Sequence, residues 1–353
     1  MNSRGETVNT MKALVLEKIS EFSYKDIEKP VPGDRDVLIR VMASAICGSD
    51  VHGYDGKSGR RKPPLVIGHE TAGVVEAVGE KVSKYKIGDR VVFNSSLYCR
   101  DCHYCRRGNT NQCVEGKVFG VSCDTYHLEG AMCEYISVPE YIAYKIPDQI
   151  EFEQAALIEP LAIGLHAINK TTICINDLAV VYGAGTIGLM ILKILKISNC
   201  GKVVMVDIDE AKLEIAKHMG ADFCLKADQV DVVQEIFRLS EGKGADIAFE
   251  AVGINATFNN AITCLKKGGS VTLVGNISKE LGFPLQSVVI KEIKIYGSYG
   301  CSTEYETAID LLSDQKIDVS DFISVIAPLY EGQIWFDKLH SAEKGLLKIV
   351  LVP

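Results

Sequence analysis

Residues 98–113, YCRDCHYCRRGNTNQC, place the thiols of Cys99, Cys102, Cys105 and Cys113 in one short loop. Each Cys-x-x-Cys step brings two sulfurs to one ion and the longer step to Cys113 closes the lobe, a spacing that fits four-coordinate zinc. With no position left for water, such an ion is structural. A redox or disulfide pair is the alternative, but it needs no third and fourth thiol and opens a helix after a strand. A nucleic-acid zinc ribbon uses similar spacing, yet the net charge of −8, from 38 basic and 46 acidic residues, argues against a phosphate-binding face. His103, inside the loop, reads as solvated.

A second signature is LAVVYGAGTIGLMILKIL, in which Gly183, Gly185 and Gly188 form G-x-G-x-x-G between a strand-like and a helix-like run. Gly183 permits the tight turn, Gly185 lets backbone approach a pyrophosphate, and Gly188 lets the helix lie close to the strand. The next strand-like run, KVVMVD, ends in Asp207 about 20 residues on, where a carboxylate accepts from ribose hydroxyls and repels a 2′-phosphate. NAD is therefore expected over NADP. Gly183, Gly185, Thr186, Ile187, Gly188, Asp207 and the nearby Lys212 are the candidate cofactor contacts. A helix cap for DEAKLEIAK is the simpler reading of Asp207.

These groups need two kinds of scaffold. A chain of 353 residues exceeds one ordinary core, so two domains are expected. Residues 11–160 show short β-type runs broken by Gly, Pro and Asp turns, including DVLIRVMASAI, GHETAGVVEAVG, GDRVVF and CEYISVP. Residues 161–300 alternate apolar runs with helix-period segments, the pattern of a parallel sheet wound on both sides. Residues 301–353, with EYETAIDLLSD and LKIVLVP, are too short for a domain and are expected to return to the first one. The fold class is thus α/β, a β-rich domain plus a doubly wound (Rossmann) domain. Residues 1–10, MNSRGETVNT, read as a flexible leader without the apolar region of a signal peptide, which predicts a cytoplasmic protein. Lys193 and Lys196 interrupt the longest apolar stretch, so no membrane span is expected. Twelve cysteines in so long a chain are not a disulfide framework. Cys123, Cys133, Cys174, Cys200, Cys224, Cys264 and Cys301 read as structural thiols.

A dispersed set remains: Cys47 in ICGSDVHGYDG, His69 and Glu70 in VIGHETAGVV, and Glu159 in AALIEPLAIGLHA. Taken singly these are a thiol, a core histidine and two carboxylates. Together, ICGSDVH, GHETAGVVEAVG, KIGDRVV, the four-cysteine loop, EPLAIGLHA and GAGTIG stand in the order and approximate spacing of the zinc-dependent medium-chain dehydrogenase/reductase superfamily. The similarity covers nearly the whole chain after Met11 and most resembles the sorbitol (polyol) dehydrogenase branch. Glu159 stands where ordinary zinc alcohol dehydrogenases carry a second cysteine ligand.

The resemblance implies a GroES-like catalytic domain and two zinc ions per chain. It makes Cys47 and His69 direct ligands of a reactive zinc, with Glu70 and Glu159 binding directly or through a water, and Asp50 holding the distal nitrogen of His69. It further implies oxidation of a secondary hydroxyl of a small-molecule alcohol or polyol, the hydroxyl proton passing to Ser49, then through the cofactor ribose to His52, whose class titrates near neutral pH. The carbon must come within about 3–3.5 Å of the nicotinamide. His127, His166, His218 and His340 receive no role. Butanediol, threonine and sugar-alcohol-phosphate dehydrogenases share these motifs. The run GKSGRRKPP, with Arg60, Arg61 and Lys62, reads either as a solvated loop face or as a clamp for an anionic substrate. A zinc-free quinone reductase would lack Cys47, His69 and Glu159, and a non-catalytic NAD-binding sensor or scaffold would have broken ligands. Neither nucleic acid nor membrane is an expected partner. The resemblance implies a homodimer or homotetramer, with IKIYGSYG as the pairing edge.

Overall fold

The computed structural model describes residues 9–353, which form two compact units: residues up to Glu159 together with Tyr305–Pro353, and Pro160–Glu304. Most of the expected leader lies outside the described residues, and Thr10 already belongs to the first strand, Thr10–Lys18.

The first unit is built on a seven-stranded sheet. Its order is Ala143–Lys145, Arg90–Phe93, Glu70–Val78, Asp36–Ala45, Lys348–Val352 and Ile323–Pro328, with Tyr135–Pro139 also pairing to Asp36–Ala45. The C-terminal strand inserts antiparallel beside Asp36–Ala45, so the tail completes the sheet of the first unit. Val37, Ile39, Val41, Val75, Val91, Phe93, Ile349 and Leu351 fill its core. Each contributes roughly 1.5–3 kcal/mol on leaving water. The strand Ile323–Pro328 and the helix Gly332–His340 were not legible in the sequence pattern.

The second unit is a six-stranded parallel sheet in the order Phe223–Lys226, Lys202–Asp207, Leu178–Tyr182, Ala245–Glu250, Leu265–Leu273 and Lys294–Gly297. Every residue of Leu178–Tyr182 is buried, as expected of a strand covered on both faces. In chain order the strands run 3-2-1-4-5-6, so the direction of winding reverses beside Leu178–Tyr182. Lys294–Gly297, from the IKIYGSYG segment, is an edge strand. Among the described residues no helix is long and apolar enough to cross a membrane.

Candidate metal and nucleotide sites

Sheet register gathers the dispersed residues of the first unit. Ala45 pairs with Glu70 on one side and with Val350 on the other, and the Ile46 N–H donates to the Ile349 carbonyl at 2.9 Å. Cys47, the His69–Glu70 pair and Lys348 therefore converge at one end of three adjacent strands. Cys47 then caps the helix Gly48–Tyr54, its sulfur accepting from the Ser49 N–H at 3.4 Å and the Ser49 hydroxyl at 3.3 Å. Donor atoms of Cys47, His69 and Glu70 lie within 4.8 Å of one another.

Behind His69 stands Asp50, fully buried, with Oδ2 3.5 Å from Nδ1. Among the described residues neither atom has a hydrogen-bond partner, and the 3.5 Å contact turns Nδ1 of the ring toward Asp50 and leaves Nε2 as the nitrogen for a ligand. Burial opposes charge on both residues. The Asp50 and Cys47 charges nevertheless raise the His69 pKa well above its usual value, while His69 and Arg61 hold Asp50 well below the carboxylate range.

Glu70 is not a free carboxylate. Both its oxygens accept from Lys348 Nζ, at 2.9 and 2.7 Å, and the same ammonium donates to the Ile46 carbonyl at 3.0 Å. Burial works against the Lys348 charge, but Glu70 and then Cys47 outweigh it and raise its pKa. Glu159 sits in the first turn of the helix Ile158–Ile168, where Pro160 costs no hydrogen bond because first-turn N–H groups lack helical partners. Its Oε1 accepts from the Ser95 hydroxyl at 3.2 Å. Glu159 stands outside the three mutually close donors. Burial lifts its carboxyl to about 7, with Glu70 adding to the rise and His69 and Lys348 opposing it. A soft thiolate, an imidazole held in one orientation and nearby carboxylates form a donor set that fits zinc with a position left open. Ser49 and His52, on the helix beginning at Gly48, are both exposed.

The four-cysteine loop is self-contained. The sulfurs of Cys99, Cys102, Cys105 and Cys113 lie within 4.8 Å of one another, and all four are free thiols. Backbone N–H groups already point at them: Cys99 N donates to Cys113 Sγ at 3.2 Å and Cys102 N to Cys99 Sγ at 3.3 Å. Burial pushes the Cys105 thiol up, whereas backbone N–H groups draw the Cys102 thiol down to about 6. Four adjacent sulfurs suit a divalent cation that lets all of them ionise.

In the second unit, Gly183 at φ +98° ends the strand Leu178–Tyr182, and Gly185 caps the helix Thr186–Ile197. A Cβ on Gly188 would lie 1.8 Å from the Gly183 carbonyl oxygen, so the helix can approach only as glycine, while one on Gly185 would meet open space. That opening lets a ligand come close to backbone N–H groups. Asp207 accepts from the Ala184 N–H at 2.6 Å and from the Asp209 N–H at 2.9 Å, joining the glycine loop to the end of the neighbouring strand. The cap of the following helix is Asp209, not Asp207. Thr186 and Ile187 lie half-buried in the first turn after the loop, and Lys212 is half-buried on the helix Glu210–His218.

One expectation changes, that for Arg61. Arg61 is neither a solvated loop residue nor available to an anion, because it is 5 % exposed and its Nε and one NH2 group both donate to Asp50 Oδ1, at 3.0 and 2.7 Å. Arg60 and Lys62 are exposed. His166 is buried against Glu304, 2.7 Å away, which accounts for it structurally. Sequence reasoning missed Lys348, whose signal was a lone cation inside the apolar run LKIVLVP.

Comparison with known proteins agrees with this geometry. Residues 33–148 match the alcohol dehydrogenase GroES-like domain and residues 186–314 the zinc-binding dehydrogenase domain. The chain is 30 % identical over 347 residues to the sorbitol dehydrogenase of Bacillus subtilis, covering 97 % of each chain. It is 33 % identical over 350 residues to a probable D-xylulose reductase A of Aspergillus clavatus, covering 96 % of each. Among solved structures, galactitol-1-phosphate dehydrogenase from Escherichia coli superposes with a TM-score of 0.90 at 26 % identity, covering 97 % of this chain and 100 % of that one. The chain belongs to the zinc-dependent medium-chain dehydrogenase/reductase superfamily, in its sorbitol (polyol) dehydrogenase-like branch, and is an alcohol dehydrogenase of the zinc type.

Proposed function

We infer that this enzyme transfers hydride from a secondary hydroxyl of a polyol or sugar alcohol to NAD. The carrying observation is the convergence of Cys47, His69 and Glu70 at one sheet end, with the buried Glu159 nearby. Cys47 and His69 would hold the reactive zinc, with Glu70 or Glu159 completing the set directly or through a water; Cys99, Cys102, Cys105 and Cys113 would hold the second ion. Zinc supplies Lewis acidity that makes an alcohol hydroxyl far easier to ionise. The protein's own groups handle the proton. Ser49, whose hydroxyl lies 3.3 Å from the Cys47 sulfur, takes the substrate proton, and the exposed His52 returns it to solvent.

The backbone at Gly183 and Gly185 receives the pyrophosphate, with Gly188 holding the helix close to the strand and Thr186 and Ile187 in the turn that follows the loop. Asp207 keeps lone pairs for ribose hydroxyls and repels a 2′-phosphate, which favours NAD; Lys212 lies on the next helix. Loss of Arg61 as an anion clamp favours a free polyol over its phosphate. The exposed edge Lys294–Gly297 supports a homodimer or homotetramer paired through that strand. NADH formation over a panel of polyols, their phosphates, butanediol and threonine tests the reading. It predicts free polyols with NAD as the best pair; selective use of a phosphate, or equal rates with NADP, would contradict it.

A further inference from the structure

The loop at residues 60–62 carries a cation that nothing in the reaction accounts for. The Arg61 side chain is 4 % exposed and Asp50 is fully buried, so the guanidinium has been taken out of water to reach this carboxylate. Nε and one NH2 group both end on Asp50 Oδ1, leaving Oδ2 facing His69 Nδ1 at 3.5 Å. That same NH2 group also lies 3.4 Å from the Ser49 hydroxyl, which in turn donates to the Cys47 sulfur at 3.3 Å. One planar fork thus touches a residue behind each of the two protein donors, Asp50 behind His69 and Ser49 beside Cys47.

Two further features hold the fork in place. The backbone is tied on both sides of Arg61: the Ser122 N–H donates to the Arg60 carbonyl at 3.2 Å and the Lys62 N–H to the Ser122 carbonyl at 3.1 Å. The stem of Arg61 crosses the helix Gly48–Tyr54 at Gly53, where an added Cβ would lie 2.2 Å from Arg61 Cγ. A glycine inside a helix is less favourable than an alanine there. Here it supplies the space in which the arginine lies.

We propose that Arg61 is a positioning residue of the reactive metal site: it fixes Asp50, and through it the His69 ring, and orients the Ser49 hydroxyl on Cys47. This rests on the reading of Cys47 and His69 as ligands. The test uses the full chain with cobalt exchanged for zinc, since the one-thiolate spectrum at Cys47 differs from the four-thiolate spectrum of the cysteine loop. Arg61→Met is expected to release the Cys47-bound cobalt to a chelator about ten- to a hundredfold faster, the usual cost of losing a group that orients a ligand, with altered cobalt bands. Asp50→Asn should do the same, and the double variant should fall well short of the product of the two single effects, because both variants break the Asp50 arm.

Gly53→Ala, which leaves every polar group in place but blocks the stem, should reproduce the Arg61→Met spectrum despite its better helix propensity. Arg61→Lys, keeping a cation without the fork, should recover part of the loss. If Arg61→Met does not fold, Gly53→Ala and Arg61→Lys decide the matter. Parent-like release and spectra in these variants overturn the proposal, as does a double variant whose effects multiply. A parent chain that binds no cobalt at Cys47 overturns the metal-site reading itself.

Discussion

The two clusters of metal-type donors in the first unit are assembled in opposite ways. Cys99, Cys102, Cys105 and Cys113 come from a single loop, with backbone N–H groups of that loop directed at their sulfurs. Cys47, His69 and Glu70, with Lys348 beside them, meet at the ends of three strands paired through the register Glu70–Ala45–Val350. The loop needs only its own turns, so its geometry is a local property. The dispersed set exists only when the sheet has closed with its C-terminal strand in place. A second difference follows. Three side chains at or near the dispersed site have a buried partner behind them: Asp50 for His69, Lys348 for Glu70 and Ser95 for Glu159. Such a site can be tuned one partner at a time, whereas a ring of four thiols is complete or broken.

The strongest break separates chemistry from folding. Cys47→Ser should lower turnover on the order of a thousandfold or more, because several kcal/mol of charge stabilisation goes with the reactive metal. Its unfolding midpoint should stay near the parent's and the ion of the cysteine loop should remain, as metal analysis and thermal denaturation would reveal. Lys348→Met strands the Glu70 carboxylate in the core, and removing one partner of a buried pair costs about 3–5 kcal/mol. Urea unfolding should record that loss, with part of it recovered by adding Glu70→Gln. An unchanged midpoint would mean that water reaches Glu70.

Cys102→Ser attacks the local cluster instead. It should release one zinc and lower the melting temperature, while turnover per folded chain remains close to the parent's; a proportionate fall in turnover would show that the two clusters are not independent. The smallest effect belongs to His52→Gln. As the proposed exposed end of a proton path, it should cost no more than about a hundredfold and should displace the pH–rate profile. An unaltered profile would take His52 out of the path.

The same contrast explains what could be read from the chain. The parallel sheet was legible because LAVVY, KVVMVD and DIAFE are continuous apolar runs punctuated by helix-period segments. The cysteine loop was legible because spacing alone brings its sulfurs together. Lys348 was not, because its partner lies 278 positions away and only strand register reveals the pair. Arg61 was misread for a related reason. In GKSGRRKPP the adjacent Arg60, Arg61 and Lys62 look alike, and only the Gly53 gap and the buried Asp50 single out Arg61. Glu159 could be picked out by resemblance, but its distance from the three clustered donors and its bond to Ser95 required coordinates.

The most direct test is to titrate the chain with a chelator while following zinc content and NADH formation from a polyol together. Two zinc ions per chain are expected at the start, with activity falling in proportion to the first ion released and returning when zinc is restored. Full activity in a chain stripped of zinc, or activity that tracks only the loss of the cysteine-loop ion, would contradict a reactive zinc at Cys47 and His69.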